Sequence, residues 1–405
     1  MDTSDLTDSK YSWQRLAISL VIAIVGNAGM WAVILVLPAV QKEFGVGRAD
    51  ATLPYILTMI GFALGNLMIG RAVDRFGVHI AISLAAVGSA IGYGLSALAP
   101  SIFIVSLLHF VIGFGTAACF GPLIADISHW FLKRRGLAVA IAASGNYLSG
   151  VVWPFFLTPV MATHGWRGAY VVLAASSLVI MVPMALLLRK RITQAMTDSA
   201  DAISNQAVRS TGLSPNTMQI LLAVAGVACC VAMAMPQVHI VALCVDLGFG
   251  AVAGSQMLSL MLFGGVISRL ISGILADRLG GLVTLLIGST AQCIALFLYL
   301  PFDGLVSLYV VSLVFGLSQG GIVPSYAIIV RETMPAKEAG ARVGFIIMAT
   351  IFGMALGGWM SGWIYDVTGS YDMAFYNGIA WNFLNMAIAA FLLMRLRGNT
   401  RQIPA

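Results

Sequence analysis

One arginine, Arg269, stands inside the glycine-rich apolar run FGGVISRLISGILADRLG, residues 263–280. A charged side chain at the centre of a membrane helix costs about 2.5–3.5 kcal/mol on insertion scales, so it normally faces a bundle interior or a wet cavity. The guanidinium is a planar fork of donors that fits a carboxylate bidentately. Its helical neighbours at three and four residues are Gly265, Val266, Ser272 and Gly273, a mostly small stripe that leaves room for an anion. The competing reading is a structural arginine paired with a backbone carbonyl or an acid.

Other polar side chains fall at comparable depth in apolar runs: Asn27, His109, Asn146, Tyr147, Gln319 and Tyr326. Gln319 and Tyr326 are seven residues apart, a spacing that predicts one shared helix face. His109 stands out because an imidazole can donate to a carboxylate and, when unperturbed, titrates near neutral pH. Each of these is a candidate cavity residue, although a polar side chain in such a place more often serves as interhelical hydrogen-bonding glue. Two acids lie near the runs. Asp246, with His239 seven residues before it, is the candidate for carrying a proton. Asp126 is expected to pair with nearby loop arginines in a gating or structural role. A metal cluster, a nucleophile with its base, or paired acids would be needed for an enzyme, and the sequence presents none.

These residues are set in a chain of 405 residues that is 60% hydrophobic and only 9% charged. Soluble domains carry roughly 25% charged residues, so the chain reads as an all-α integral membrane protein. Twelve spans of about 20 apolar residues can be marked, at roughly 15–40, 52–70, 79–98, 102–126, 137–162, 168–188, 217–245, 252–275, 282–301, 305–330, 343–365 and 373–394. With both termini cytoplasmic, all but four of the 22 Lys and Arg residues fall on the cytoplasmic side; the exceptions are Lys42, Arg48, Arg167 and Arg269. This is the positive-inside pattern. It also assigns the +6 net charge to topology rather than to nucleic acid. The five cysteines all lie in apolar runs and suggest neither a disulfide framework nor a zinc site. The polar opening is followed by an apolar run too long for a signal-peptide core, so no cleaved leader is expected. The stretch 189–216 reads as a cytoplasmic linker between six-helix bundles at 1–188 and 217–405.

The two halves repeat. LMIGRAVDRFG (67–77) aligns with LISGILADRLG (270–280) at an offset of 203, and GWRGAYVV (165–172) with GSYDMAFY (369–376) at 204. The duplicated Asp74-Arg75 and Asp277-Arg278 loops are read as gating elements whose ion pairs bias one access state, beyond their service to topology. At the same offset Arg269 corresponds to Asn66. If both halves face one cavity, Asn66 is a neutral counterpart to the arginine. Parallel six-span repeats belong to a transporter architecture with its site near the midplane between the halves.

Along its whole length the chain resembles the major facilitator superfamily. Gly70, Asp74, Arg75 and Gly77 match that family's signature between spans 2 and 3, although Val78 and His79 replace the usual basic residues. The stretch GFGTAACFGPLIADISHWFLKRRGLAVAIAASG (113–145), with its Trp130 to Ala138 block, resembles the monocarboxylate transporter and oxalate/formate antiporter group. The resemblance implies that Arg269 is the residue that holds the substrate anion. Animal members of the group have an aspartate four residues before this arginine, where this chain has Gly265. The second cation of the oxalate exchanger, a lysine in span 11, has no counterpart between Val343 and Tyr365. A small monocarboxylate moved with a proton by alternating access is therefore expected. One buried cation balances a monoanion better than a dianion. Organic-anion exchange, or carriage of a larger or aromatic carboxylate, is the alternative. No cofactor is implied, and a monomer in the inner membrane is expected.

Overall fold

The computed structural model describes residues 7–131, 135–190, 212–334 and 336–400. All regular structure among them is helical. Most of the proposed linker, 191–211, lies outside the described residues. Among the described residues, eleven helical stretches are long and apolar enough to cross a membrane. The difference from twelve lies in one of them, Leu137–Leu187, which has 51 residues. At 1.5 Å per residue it would run about 76 Å, more than twice a hydrocarbon core of about 30 Å. Gly165 interrupts it with φ +68° and ψ −175°, between the limits expected for spans 5 and 6. The stretch therefore supplies both spans.

The chain divides into two compact units, Met1–Ser204 with Ala251–Ser259, and Asn205–Gly250 with Leu260–Ala405. Serines start several helices: the hydroxyls of Ser9, Ser101 and Ser214 accept the backbone N–H three residues on, satisfying a donor that a helix N-terminus leaves without a partner. Each unit contains a crossing at backbone contact that has a counterpart in the other. In the first unit, a Cβ on Gly113 of span 4 would strike the carbonyl of Thr58 in span 2. In the second, a Cβ on Gly316 of span 10 would strike the carbonyl of Met261 in span 8. Both residues of each pair are related by the offset of 203, so the repeat seen in the sequence is repeated in packing.

The duplicated Asp-Arg-x-Gly segments are not extended loops. Helix Leu53–Phe76 ends at Gly77 and Val78 begins the next helix. Helix Gly250–Leu279 likewise ends at Gly280 and Gly281 begins its successor. The two glycines have nearly the same backbone, φ 90° with ψ 154° and φ 84° with ψ 163°, a region open to glycine almost alone. One residue therefore reverses the chain in each unit.

Three spans have internal breaks that place polar groups. Span 1 is interrupted at Asn27, between Lys10–Gly26 and Ala28–Phe44. Span 4 breaks between Ile102–Ala118 and Gly121–Trp130, and span 10 between Leu305–Gln319 and Ile322–Thr333. A proline just after each of the last two breaks, Pro122 and Pro324, lacks the N–H that would engage the carbonyl four residues earlier. For Pro324 that carbonyl belongs to Gly320.

Candidate functional site

Arg269 is half-buried in span 8, and its Nε donates to the carbonyl of Gly320 at 3.3 Å. This is the carbonyl that Pro324 leaves without a helical partner. The approach is close because span 10 has two glycines here: a Cβ on Gly320 would strike Gly265, and one on Gly321 would strike Ser272. This corrects part of the expectation of an open stripe. Gly265 and Ser272 serve helix packing; Gly273 faces open space, with nothing within 4 Å of an added Cβ.

Asn66, the repeat mate of Arg269, is also half-buried and also lies beside a break. Its Nδ2 donates to Phe62 in its own helix at 2.8 Å, and its Oδ1 lies 2.5 Å from where a Cβ on Gly121 would stand. The amide is thus turned onto span 2 and the break of span 4.

Asn27 and Asn146 come together. Asn146 Nδ2 donates to Asn27 Oδ1 at 3.0 Å, while Asn27 Nδ2 reaches the carbonyls of Ala23 and Cys119 at 2.8 and 3.2 Å. Both amides are buried, so the knot joins spans 1, 4 and 5 at two helix breaks. Tyr147 is buried with its ring against Trp31, centroids 6.2 Å apart. His109 is fully buried between Thr58 Oγ1 at 3.0 Å and Tyr170 Oη at 2.7 Å. Thr58 gives its own hydroxyl hydrogen to Pro54, so it accepts from Nδ1, and Tyr170 donates to Nε2.

In the second unit, Gln319 and Tyr326 are both buried. The break at Gly320–Gly321 lies between them, and both face span 7, Tyr326 through Cys229, while their strongest hydrogen bonds go to different helices. Gln319 Oε1 accepts from Gln237 of span 7 at 2.5 Å, whereas the Tyr326 hydroxyl donates to Asn385 of span 12 at 2.9 Å. His239 and Asp246 differ in exposure. His239 is buried, with Nδ1 at 3.0 Å from Tyr371 Oη and Nε2 donating to Gly358 at 2.8 Å, while Asp246 is exposed at the helix end. Seven residues of one helix separate a packed interior from a solvent-facing tip.

The pairing of Asp126 also differs from the expectation of loop arginines. Its two carboxylate oxygens take Nε and Nη2 of Arg15, at 2.7 and 2.9 Å, and the pair is buried. Arg15 also donates to Leu188 and lies 4.6 Å over the ring of Trp130. An arginine that counted as a topology charge is therefore an interior residue of the first unit. Arg75 and Arg278 are exposed; the side chains of Asp74 and Asp277 lie outside the described residues. Sequence reasoning missed Gln237, Gln292, Asn382 and Asn385. Each is an amide in mid-span, the signal that had selected Asn27 and Asn146.

A half-buried cation held by a broken helix, inside a unit built on a repeated glycine crossing, suits a membrane carrier. Comparison with known families agrees: the Major Facilitator Superfamily model matches residues 19–341 and 220–405. The chain belongs to the major facilitator superfamily. It is accordingly a secondary transporter and not an enzyme. Its relatives include monocarboxylate transporter 13 of Bos taurus, 26% identical over 76% of this chain and 72% of the relative. Monocarboxylate transporter 11 of Homo sapiens is 28% identical over 76% of this chain and 67% of its own length. Among solved structures, a bacterial homologue of the human lysosomal transporter Spinster, inward-facing and occupied, matches with a TM-score of 0.70. That match covers 98% of this chain and all of the other at 15% identity, a likeness of fold.

Proposed function

We propose that this superfamily member carries a small monocarboxylate of the lactate or pyruvate type, together with a proton, by alternating access. The observation that supports it is Arg269, a half-buried guanidinium in mid-span, anchored through Nε to Gly320, in a chain whose relatives are named monocarboxylate transporters. A carboxylate bound to that guanidinium forms a neutral pair. A dianion would leave a second charge buried without a partner, at a cost of several kcal/mol. This favours a monoanion over oxalate-type exchange. In this reading the carrier lies in the inner membrane with both termini cytoplasmic, and works as a monomer. Asp246, at the exposed tip of span 7, is the acid placed to take up the proton. His109, Asn27, Asn146, Gln319 and Tyr326 shape the bundles around the site rather than touch the substrate.

Uptake of labelled lactate and pyruvate into liposomes reconstituted with the protein, with and without an inward proton gradient, tests the reading. Gradient-stimulated uptake in the wild type, and loss of uptake in Arg269→Ala, are expected. Transport of neither acid, or normal uptake by Arg269→Ala, sinks it. Uptake that ignores the gradient but accelerates with internal substrate would replace symport by exchange. Asp246→Asn is expected to keep uptake and lose the response to pH.

A further inference from the structure

The second unit contains a polar cluster that the arginine site does not use. Ser289 and Gln292 of span 9, Asn382 and Asn385 of span 12, and Tyr326 of span 10 are all fully buried, the four residues of spans 9 and 12 well inside their spans. Asn385 accepts from Tyr326 and donates to Ser289 Oγ at 2.6 Å; Asn382 Nδ2 donates to the Ser289 carbonyl at 2.8 Å. Gln292 Nε2 donates to the carbonyl of Cys229 in span 7 at 3.1 Å. These bonds fix the orientation of both terminal amides and leave Asn382 Oδ1 and Gln292 Oε1 buried with no hydrogen-bond partner among the described residues.

A buried acceptor without a donor costs about 1–3 kcal/mol, and water is absent from the hydrocarbon outside. The fold does not require this expense. At the offset of 203, Ala86 and Leu123 stand in the first unit where Ser289 and Tyr326 stand in the second, and span 6 presents only apolar residues over 178–182. The same crossing is thus packed in one unit with hydrocarbon and in the other with amides. Of the cluster's span 9 members, only Gln292 has a polar counterpart, Ser89.

Both unpartnered atoms are carbonyl oxygens, so the missing group is a donor. The anchors of the two amides fall within one turn of span 9: Asn382 is bonded to the Ser289 carbonyl, and Gln292 follows Ser289 by three residues, about 4.5 Å along the axis. A water molecule offers two O–H donors, the number required, and buried waters typically make about three hydrogen bonds to such groups. A metal cation would bring a full charge to a cluster with no acid in it, at a desolvation cost of several kcal/mol. We propose that this cluster is a built internal hydration site, in which an ordered water in the second unit donates to Asn382 Oδ1 and Gln292 Oε1 in mid-membrane. The site stands whether or not Arg269 binds a carboxylate.

Hydroxyl-radical footprinting of the reconstituted protein, begun in ¹⁶O water and pulsed into ¹⁸O water, tests it. Tyr326 is expected to be oxidised despite its burial and to retain ¹⁶O after surface sites have exchanged. Tyr170, equally buried in the first unit, serves as the dry reference. Gln292→Leu with Asn382→Leu is expected to lose the Tyr326 label while a thermal transition is retained. A wild-type Tyr326 as unreactive as Tyr170 overturns the site without recourse to any variant, as does labelling unchanged in the double variant. A thermal stabilisation by sodium over potassium that disappears in Gln292→Leu overturns water in favour of a cation.

Discussion

The two units solve one packing problem and then diverge at the positions that line it, most sharply at Asn66 and Arg269. Each brings an even-numbered span into backbone contact with a partner two spans on, through Gly113 on Thr58 in one and Gly316 on Met261 in the other. Each interrupts that partner helix just beyond the crossing. Beside the first break stands Asn66, bonded to its own helix; beside the second stands Arg269, bonded across to Gly320. A duplicated scaffold has supplied two equivalent sockets, one neutral and one cationic. The difference teaches that the duplicated scaffold does not set the chemistry of its sockets; the side chain placed in each one does.

The strongest test of that contrast is transport. Arg269→Ala is expected to reduce carboxylate uptake to that of empty liposomes. Asn66→Ala, which removes one hydrogen bond within span 2, is expected to change the initial rate by no more than about fivefold, the equivalent of ~1 kcal/mol. Equal losses would mean that both sockets hold substrate.

A second contrast lies in the pair Arg15–Asp126, whose acid position corresponds at the 203 offset to Ile329, fully buried in the second unit. Arg15→Met strands a buried carboxylate and is expected to cost about 3–5 kcal/mol, read as a fall in the thermal transition. Arg15→Met combined with Asp126→Ile is expected to recover most of that stability, because the apolar solution already exists in the other unit. Failure of the double variant to recover would assign the pair a role beyond packing.

The smallest effect concerns what the units share. Gly113→Ala and Gly316→Ala each push a methyl group into a backbone carbonyl and are expected to destabilise by about 1–3 kcal/mol. Thermal transitions lowered by similar amounts in both variants sharpen the equivalence of the crossings. A large effect in one alone breaks it.

Much of this was legible in the sequence because hydropathy and repetition are local properties. The spans, the duplicated Asp-Arg-x-Gly segments and the offset that relates Asn66 to Arg269 needed no tertiary information. Hydrogen-bond partners were another matter. Gln319 and Tyr326 are spaced for one face and both meet span 7, but the bond from Tyr326 to Asn385 of span 12 could not be read from that spacing. Arg15 was read as one of many cytoplasmic charges, since its acid lies 111 residues away. The mid-span amides of spans 9 and 12 carried the same signal as Asn27 and Asn146. What distinguished them, two acceptors left over once every bond is counted, exists only in three dimensions.

The junction at Gly280 has a mechanical consequence. Span 8 ends and span 9 begins across that one residue, and Glu332, near the end of span 10, accepts the Gly281 N–H through both carboxylate oxygens at 3.1 and 3.3 Å. Three helix ends are therefore pinned to one fulcrum. Arg269 stands eleven residues from it, a lever arm of about 16 Å, so a tilt of about 5° displaces its backbone by about 1.4 Å. That is enough to part a guanidinium from a carbonyl 3.3 Å away. A rotation small at the pivot is thus comparable, at the arginine, with the whole margin of that hydrogen bond.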